Sequence, residues 1–150
     1  MGLDMYLKAT LWLSKFDKSE LKLAKAVRKL VGVEFDSGNL DSTEVTIEVA
    51  YWRKANHIHR WFVKNVQNGV DDCKDYFIDR ESLKELLKLC EEVDKDHNKA
   101  KTLLPVEEGF FFGGNDYGEW YFDDIKDTIS QLKKCLELPE DWEFKYHSSW

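Results

Sequence analysis

Residues 5–13 read Met-Tyr-Leu-Lys-Ala-Thr-Leu-Trp-Leu, and every odd-numbered position is apolar. Met5, Leu7, Ala9, Leu11 and Leu13 alternate with Tyr6, Lys8, Thr10 and Trp12, which is the period of a strand with one buried face. The chain is therefore expected to open on a half-buried strand. Immediately downstream, Asp17-Lys18-Ser19-Glu20 has the carboxylate-x-x-Glu form of a helix start, and Leu21, Ala24, Val27 and Val31 follow at helical spacing until Gly32. Asp36-Ser37-Gly38-Asn39 is turn chemistry, and beyond it Val45, Ile47, Val49 and Tyr51 alternate with Glu44, Thr46, Glu48 and Ala50 as a second half-buried strand expected to pair with the first.

From Trp52 to Val66 the spacing of Trp52, Ala55, Ile58 or His59, Phe62 and Val66 predicts an amphipathic helix, ended by Asn68-Gly69. Asp79 is placed to cap the next, whose stripe is Leu83, Leu86, Leu87, Cys90 and Val93; Cys90 there acts as a small core hydrophobe. Polar residues 95–101 and Pro105 close it. A last helix is expected over Glu119 to Leu136, stopped by Pro139, and Trp142, Phe144 and Tyr146 alternate as a final strand. Strands and helices that do not alternate regularly imply one α+β domain over residues 1–150, a small antiparallel or mixed sheet packed with three to four helices.

With 22 Lys and Arg against 29 Asp and Glu, the formal charge of −7 disfavours general attraction to nucleic acid or anionic membrane, though a local basic patch could still take a small anion. No run of about 18 apolar residues is present, and the start lacks the features of a secretory signal. Three widely spaced cysteines, Cys73, Cys90 and Cys135, fit a reducing compartment, so the expected location is the cytoplasm.

Catalytic and cofactor signatures are missing. No nucleophile elbow, Walker sequence or dinucleotide fingerprint occurs, and Cys73 beside Asp71 and Asp72 would have its thiolate disfavoured by like charge. His57 and His59, two apart on a helix, would point to opposite sides, which argues against a metal pair. We therefore expect no catalytic residue, no cofactor and no metal.

The unusual place is the segment after the second strand. Arg53, Lys54, Arg60 and Lys64 concentrate cations within an acidic chain, and Arg53, Asn56, Arg60 and Lys64 would share one helical stripe flanked by Tyr51, Trp52, Trp61 and Phe62. Such a face could engage phosphates while a base stacks on an aromatic ring. The competing reading is that the aromatics are core and the cations the wet side of the helix, and His59 carries the same ambiguity. Phe110-Phe111-Phe112, followed by Gly113-Gly114-Asn115-Asp116-Tyr117-Gly118, joins bulky rings to a polar loop suited to a pocket wall and lid. The candidate ligand-binding set is thus Tyr51, Trp52, Arg53, Asn56, His59, Arg60, Asn115 and Tyr117. Trp150 and Tyr146 at the end of the chain suggest self-association, since exposed aromatics favour burial against a second copy.

Several stretches together carry a resemblance: Gly2-Leu3-Asp4-Met5-Tyr6-Leu7, Tyr51-Trp52-Arg53-Lys54-Ala55-Asn56 with Ile58-His59 and Trp61-Phe62-Val63, Asn65-Val66-Gln67, Phe110-Phe111-Phe112-Gly113, Tyr121-Phe122 and Ser148-Ser149-Trp150. On these the chain resembles a family of small uncharacterised proteins encoded by tailed phages and prophages. The resemblance names no reaction. It implies an accessory protein acting in the host cytoplasm against host defence. One class would sequester an anionic, nucleotide-like signal. The other would block a host defence protein, in the manner of an anti-CRISPR protein or a nucleic-acid mimic, through acidic surface such as Glu85, Glu92 and Asp96. A nucleotide-degrading enzyme is a third possibility.

Overall fold

The opening alternation forms β1 (Asp4–Ser14) in the computed structural model, which describes residues 2–33, 42–109 and 113–150. Three strands join it: β2 (Ser42–Arg53), β3 (Tyr76–Ile78) and β4 (Trp142–Ser149), in the order β2-β1-β4-β3 with every pairing antiparallel. The helices are α1 (Lys18–Leu30), α2 (Asn56–Asn65), α3 (Arg80–Lys95), α4 (Ala100–Leu103) and α5 (Glu119–Leu136), with a 3-10 turn at His97–Lys99 before α4. The protein is α+β, as its sequence pattern implies. The helix beyond the expected number is the single turn of α4, within a stretch read as a polar closing loop.

The expected caps form. Asp17 accepts from the backbone N–H groups of Ser19 and Glu20 at 2.8 and 3.0 Å, and Asp79 from that of Ser82 at 2.7 Å. One continuous core joins the layers: Met5, Leu7 and Ala9 with Phe144, Tyr146 and Trp52 on the sheet, against Ile58, Phe62, Leu83, Leu86, Cys90, Ile125 and Leu132 on the helices.

Three sequence expectations are corrected. First, Leu7 stands opposite Ala50 but Lys8 opposite Glu48, so Val49 is an extra residue on β2. That bulge shifts the alternation by one and exchanges the two faces of the strand. Ala50 and Trp52 therefore turn inward, while Tyr51, read as a partner of Val45 and Ile47, faces out and is 45% exposed. Second, the strand runs on through Arg53 and α2 begins only at Asn56, with Lys54 in the left-handed region at φ 59° between them. Trp52 falls out of phase with Val45, Ile47 and Val49 but at helical spacing from Ala55, which hid the boundary. Third, Tyr146 is fully buried and Trp150 donates its indole N–H to Asp71 at 3.2 Å, so Tyr146 offers no exposed ring to a second copy. The turn at Asp36 to Asn39 and the Phe110-Phe111-Phe112 wall lie outside the described residues.

On the far side of the bulge α5 covers the free edge of β2. Gln131 accepts from the Tyr51 backbone N–H at 2.7 Å, and the Cys135 thiol lies 3.7 Å from the Val49 carbonyl. Both edge groups are thereby withheld from another strand.

Candidate functional site

The main core lies on one face of the sheet, with Met5, Leu7 and Ala9 turned into it, and Tyr6 and Lys8, which alternate with them on β1, point the other way. Tyr6 is in register with Tyr51 on β2 and with His147 on β4. Cross-strand partners share a face, so three rings stand in one row across three strands. The Tyr6 and Tyr51 ring centroids are 5.3 Å apart and those of Tyr6 and His147 6.0 Å, all three rings tilted rather than stacked. Along one side of this row, Arg53 stands opposite Asp4; along the other, Lys8 stands opposite Glu48 and Lys145, with Phe77 beyond under the Lys145 ammonium.

The charges on this face are unevenly engaged. The Tyr51 hydroxyl donates to the Asp4 carboxylate, and that bond holds the phenol above its ordinary pKa. Asp75 lies 3.4 Å from the Lys8 ammonium and 3.1 Å from Nδ1 of His147. Arg53 is exposed and has no carboxylate partner among the described residues. Arg53 thus stands beside Asp4 at one end of the row, and Asp75 lies with Lys8 and His147 at the other, so both ends carry charges of both signs.

Of the residues singled out from sequence, only Tyr51 and Arg53 lie on this face. Trp52 is inside, its indole N–H donating to Thr128 Oγ1 at 2.9 Å. Asn56 is buried at the start of α2, its amide donating to the Gly114 carbonyl at 2.8 Å while its oxygen accepts from the Glu107 N–H at 3.1 Å. Arg60 pairs with the Glu107 carboxylate, and Tyr117 accepts from the Val106 N–H at 3.2 Å. Asn56 and Arg60 thus tie α2 to Glu107 and Gly114, Tyr117 holds Val106, and Asn115 is exposed. Gly113, at φ 92°, lets this loop pass Lys54, where an added Cβ would meet the Lys54 carbonyl at 3.1 Å. The expected stripe of Arg53, Asn56, Arg60 and Lys64 is dispersed, because Arg53 belongs to the strand and Asn56 to the interior.

Both histidines of α2 are buried, on opposite sides as the helical spacing requires. His57 lies against Tyr121 with ring centroids 4.1 Å apart; its Nε2 is buried with no hydrogen-bond partner among the described residues, and burial pushes its pKa down to about 3. His59 takes the Tyr146 hydroxyl at Nδ1, 2.7 Å away, and faces the Asp71 carboxylate at 3.1 Å through Nε2. Burial lowers its pKa against the opposing pull of Asp71. A Tyr–His–Asp relay is thus present, but its phenol is sealed in the core against Phe62, with ring centroids 3.8 Å apart, where no substrate reaches it. Among the described residues, no three His, Cys, Asp or Glu side chains gather as a metal-holding group.

A shallow hollow of about 290 Å³ lies elsewhere, lined by Phe77, Arg80, Glu140, Trp142 and Phe144 among others. Arg80 is already held by the Leu136 and Pro139 carbonyls and by Glu140, so the hollow presents no unengaged cation to an anion.

Sequence reasoning passed over Tyr6, Lys8 and His147. The signal was present, since all three fall on the outward positions of strands already recognised by their alternation.

No protein-family model, curated protein or solved structure matches the chain. Among the described residues no helix is long and apolar enough to cross a membrane.

Proposed function

We propose that the chain is a non-enzymatic binding protein that takes a small anionic, base-bearing ligand of the nucleotide class on its open sheet face. The observation that carries this reading is the in-register row Tyr51–Tyr6–His147 beside the exposed guanidinium of Arg53. A base gains stacking energy on such rings whatever its sequence, and a planar guanidinium engages a phosphate by two parallel hydrogen bonds. Acting in the cytoplasm of a phage-infected host, such a protein would sequester a nucleotide signal and blunt the defence that depends on it.

The net charge of −7 favours a second reading, an acidic inhibitor of a host protein. Of its expected residues Glu92 pairs with Lys99, while Glu85 and Asp96 have no ion pair among the described residues; elsewhere on α3 Glu81 and Glu91 pair with Lys84 and Lys133.

Isothermal titration against cyclic and linear nucleotides tests the first reading, with the recovered ligand analysed for products. Saturable binding with unchanged ligand is expected. Absence of binding to every member overturns it in favour of the inhibitor, and altered ligand would make the protein an enzyme.

A further inference from the structure

The sequence of α1 departs from the acidic average of the chain. Between Lys15 and Leu30 stand Lys15, Lys18, Lys22, Lys25, Arg28 and Lys29 against only Asp17 and Glu20. The inward face of α1 carries the buried Ala24, with Leu21 and Val27 half-buried beside it, while Arg28 is tied to Thr43 Oγ1 at 2.9 Å. Lys18, Lys22, Lys25 and Lys29 fall at i, i+4, i+7 and i+11, a single row along the helix. All four are exposed, and none has a carboxylate partner among the described residues.

A second exposed row runs beside them. Leu23, Ala26 and Leu30 recur at i, i+3 and i+7. Phe16 ahead of the helix is 82% exposed, Leu30 86% and Val31 at its end 66%. Large apolar side chains are thus in water along the whole length of α1, about 20 Å, flanked by the exposed ammonium groups. A phosphate polymer would reward the lysines and leave the leucines where they are. A lipid interface rewards both, because the apolar side chains enter the acyl boundary while the lysines reach the headgroups.

We infer that α1 is a surface-docking helix for anionic membrane, laying Phe16, Leu23 and Leu30 into the interface with Lys18, Lys22, Lys25 and Lys29 on the phosphate groups. The side chains used lie outside the ligand face of the sheet, so the two sites are separable by mutation.

Co-sedimentation of the full chain with phosphatidylcholine vesicles, with and without phosphatidylglycerol, over a range of sodium chloride tests this. Binding should require phosphatidylglycerol, fall with salt, and drop about fivefold for each of the four lysines changed to glutamine. The L23S/L30S variant should bind more weakly with the same salt dependence. Circular dichroism of each variant confirms that it is folded, and the lipid and salt dependence of the unmodified chain tests the inference without any variant. Equal binding to neutral vesicles, or none to anionic ones, overturns the inference. So does displacement by mixed-sequence duplex DNA with L23S/L30S binding like the unmodified chain, which would make α1 a nucleic-acid contact instead.

Discussion

The Tyr146 hydroxyl lies 2.7 Å from Nδ1 of His59, while the Asp71 carboxylate faces the other ring nitrogen at 3.1 Å. One neutral tautomer, with the proton on Nε2, serves both neighbours. Removing either member takes away a hydrogen bond between two buried groups, and a buried bond lost on one side costs more than an exposed one. Tyr146→Phe should lower stability by about 1–2 kcal/mol and His59→Phe by about 2–3 kcal/mol. The double variant should lose less than the combined single losses, by about 1 kcal/mol. Urea unfolding of the four proteins measures this coupling, and strict additivity would show that the two groups do not act together.

His57 makes stability sensitive to acid. Its folded-state pKa of about 3 lies below the ordinary 6.5, so as pH falls below 6.5 the unfolded chain takes up a proton that the folded chain refuses. Stability is undiminished by this group above pH 6.5 and is lost progressively as pH falls toward 3. At pH 5 the loss is about 2 kcal/mol. His57→Phe keeps a ring against Tyr121 without the titrating nitrogen, so its advantage over the unmodified chain should grow between pH 7 and pH 5. A constant difference across that range in parallel denaturant titrations would contradict the assignment.

Asp124 works in the opposite sense. Burial raises its carboxyl from 3.8 to about 7, with Asp127 and Asp123 adding like charge. The folded chain therefore holds a proton that the unfolded chain releases, and the stability tied to it is complete below about pH 4 and lost as pH rises to about 7. Asp124→Asn should raise stability at pH 8 by about 1 kcal/mol, less than the full shift would give because the side chain keeps part of its hydration. At pH 4 the substitution should be nearly neutral. Melting curves at the two pH values decide it.

Arg53 and Arg60, equivalent on a helical stripe, are not equivalent in the fold. Arg53→Gln should weaken a nucleotide ligand by about tenfold with no change in melting, since it removes a charge-assisted contact and no internal one. Arg60→Gln breaks the pair with Glu107 and should leave affinity unchanged, lowering stability by less than about 1 kcal/mol. The same titration with both variants separates them, and equal losses of affinity would return the site to the α2 side.

Much of this fold was legible because its long elements repeat. Met5 to Leu13, Leu83 to Val93 and Glu119 to Leu136 each carry a period for several turns or pleats, and each forms the element expected. What escaped was local. Tyr76–Ile78 is three residues long, too short to establish alternation, and becomes a strand only because β4 offers it an edge. Val49 gives no sign of being a bulge, yet it decides that Tyr51 meets solvent and Trp52 the core. The candidate site was half legible for the same reason. Tyr51 and Arg53 stood out by residue type, but their companions Tyr6 and His147 are identified by strand pairing, a relationship between distant segments that no local window contains.

The placement of β1 between β2 and β4 also bears on how the chain folds. Asp4 pairs with Ser149 and Arg53, so β1, one of the two inner strands, has one neighbour that follows it closely in sequence and another that is distant from it. A nascent chain leaving the ribosome can form the β1–β2 pair and much of its helical structure, but one edge of β1 and the apolar surface later covered by Phe144 and Tyr146 stay open until β4 emerges. Pairings of such long range close slowly and leave strand edges prone to association in the meantime. β4 is therefore the closing element of the sheet, and the β1 edge stays open until it pairs.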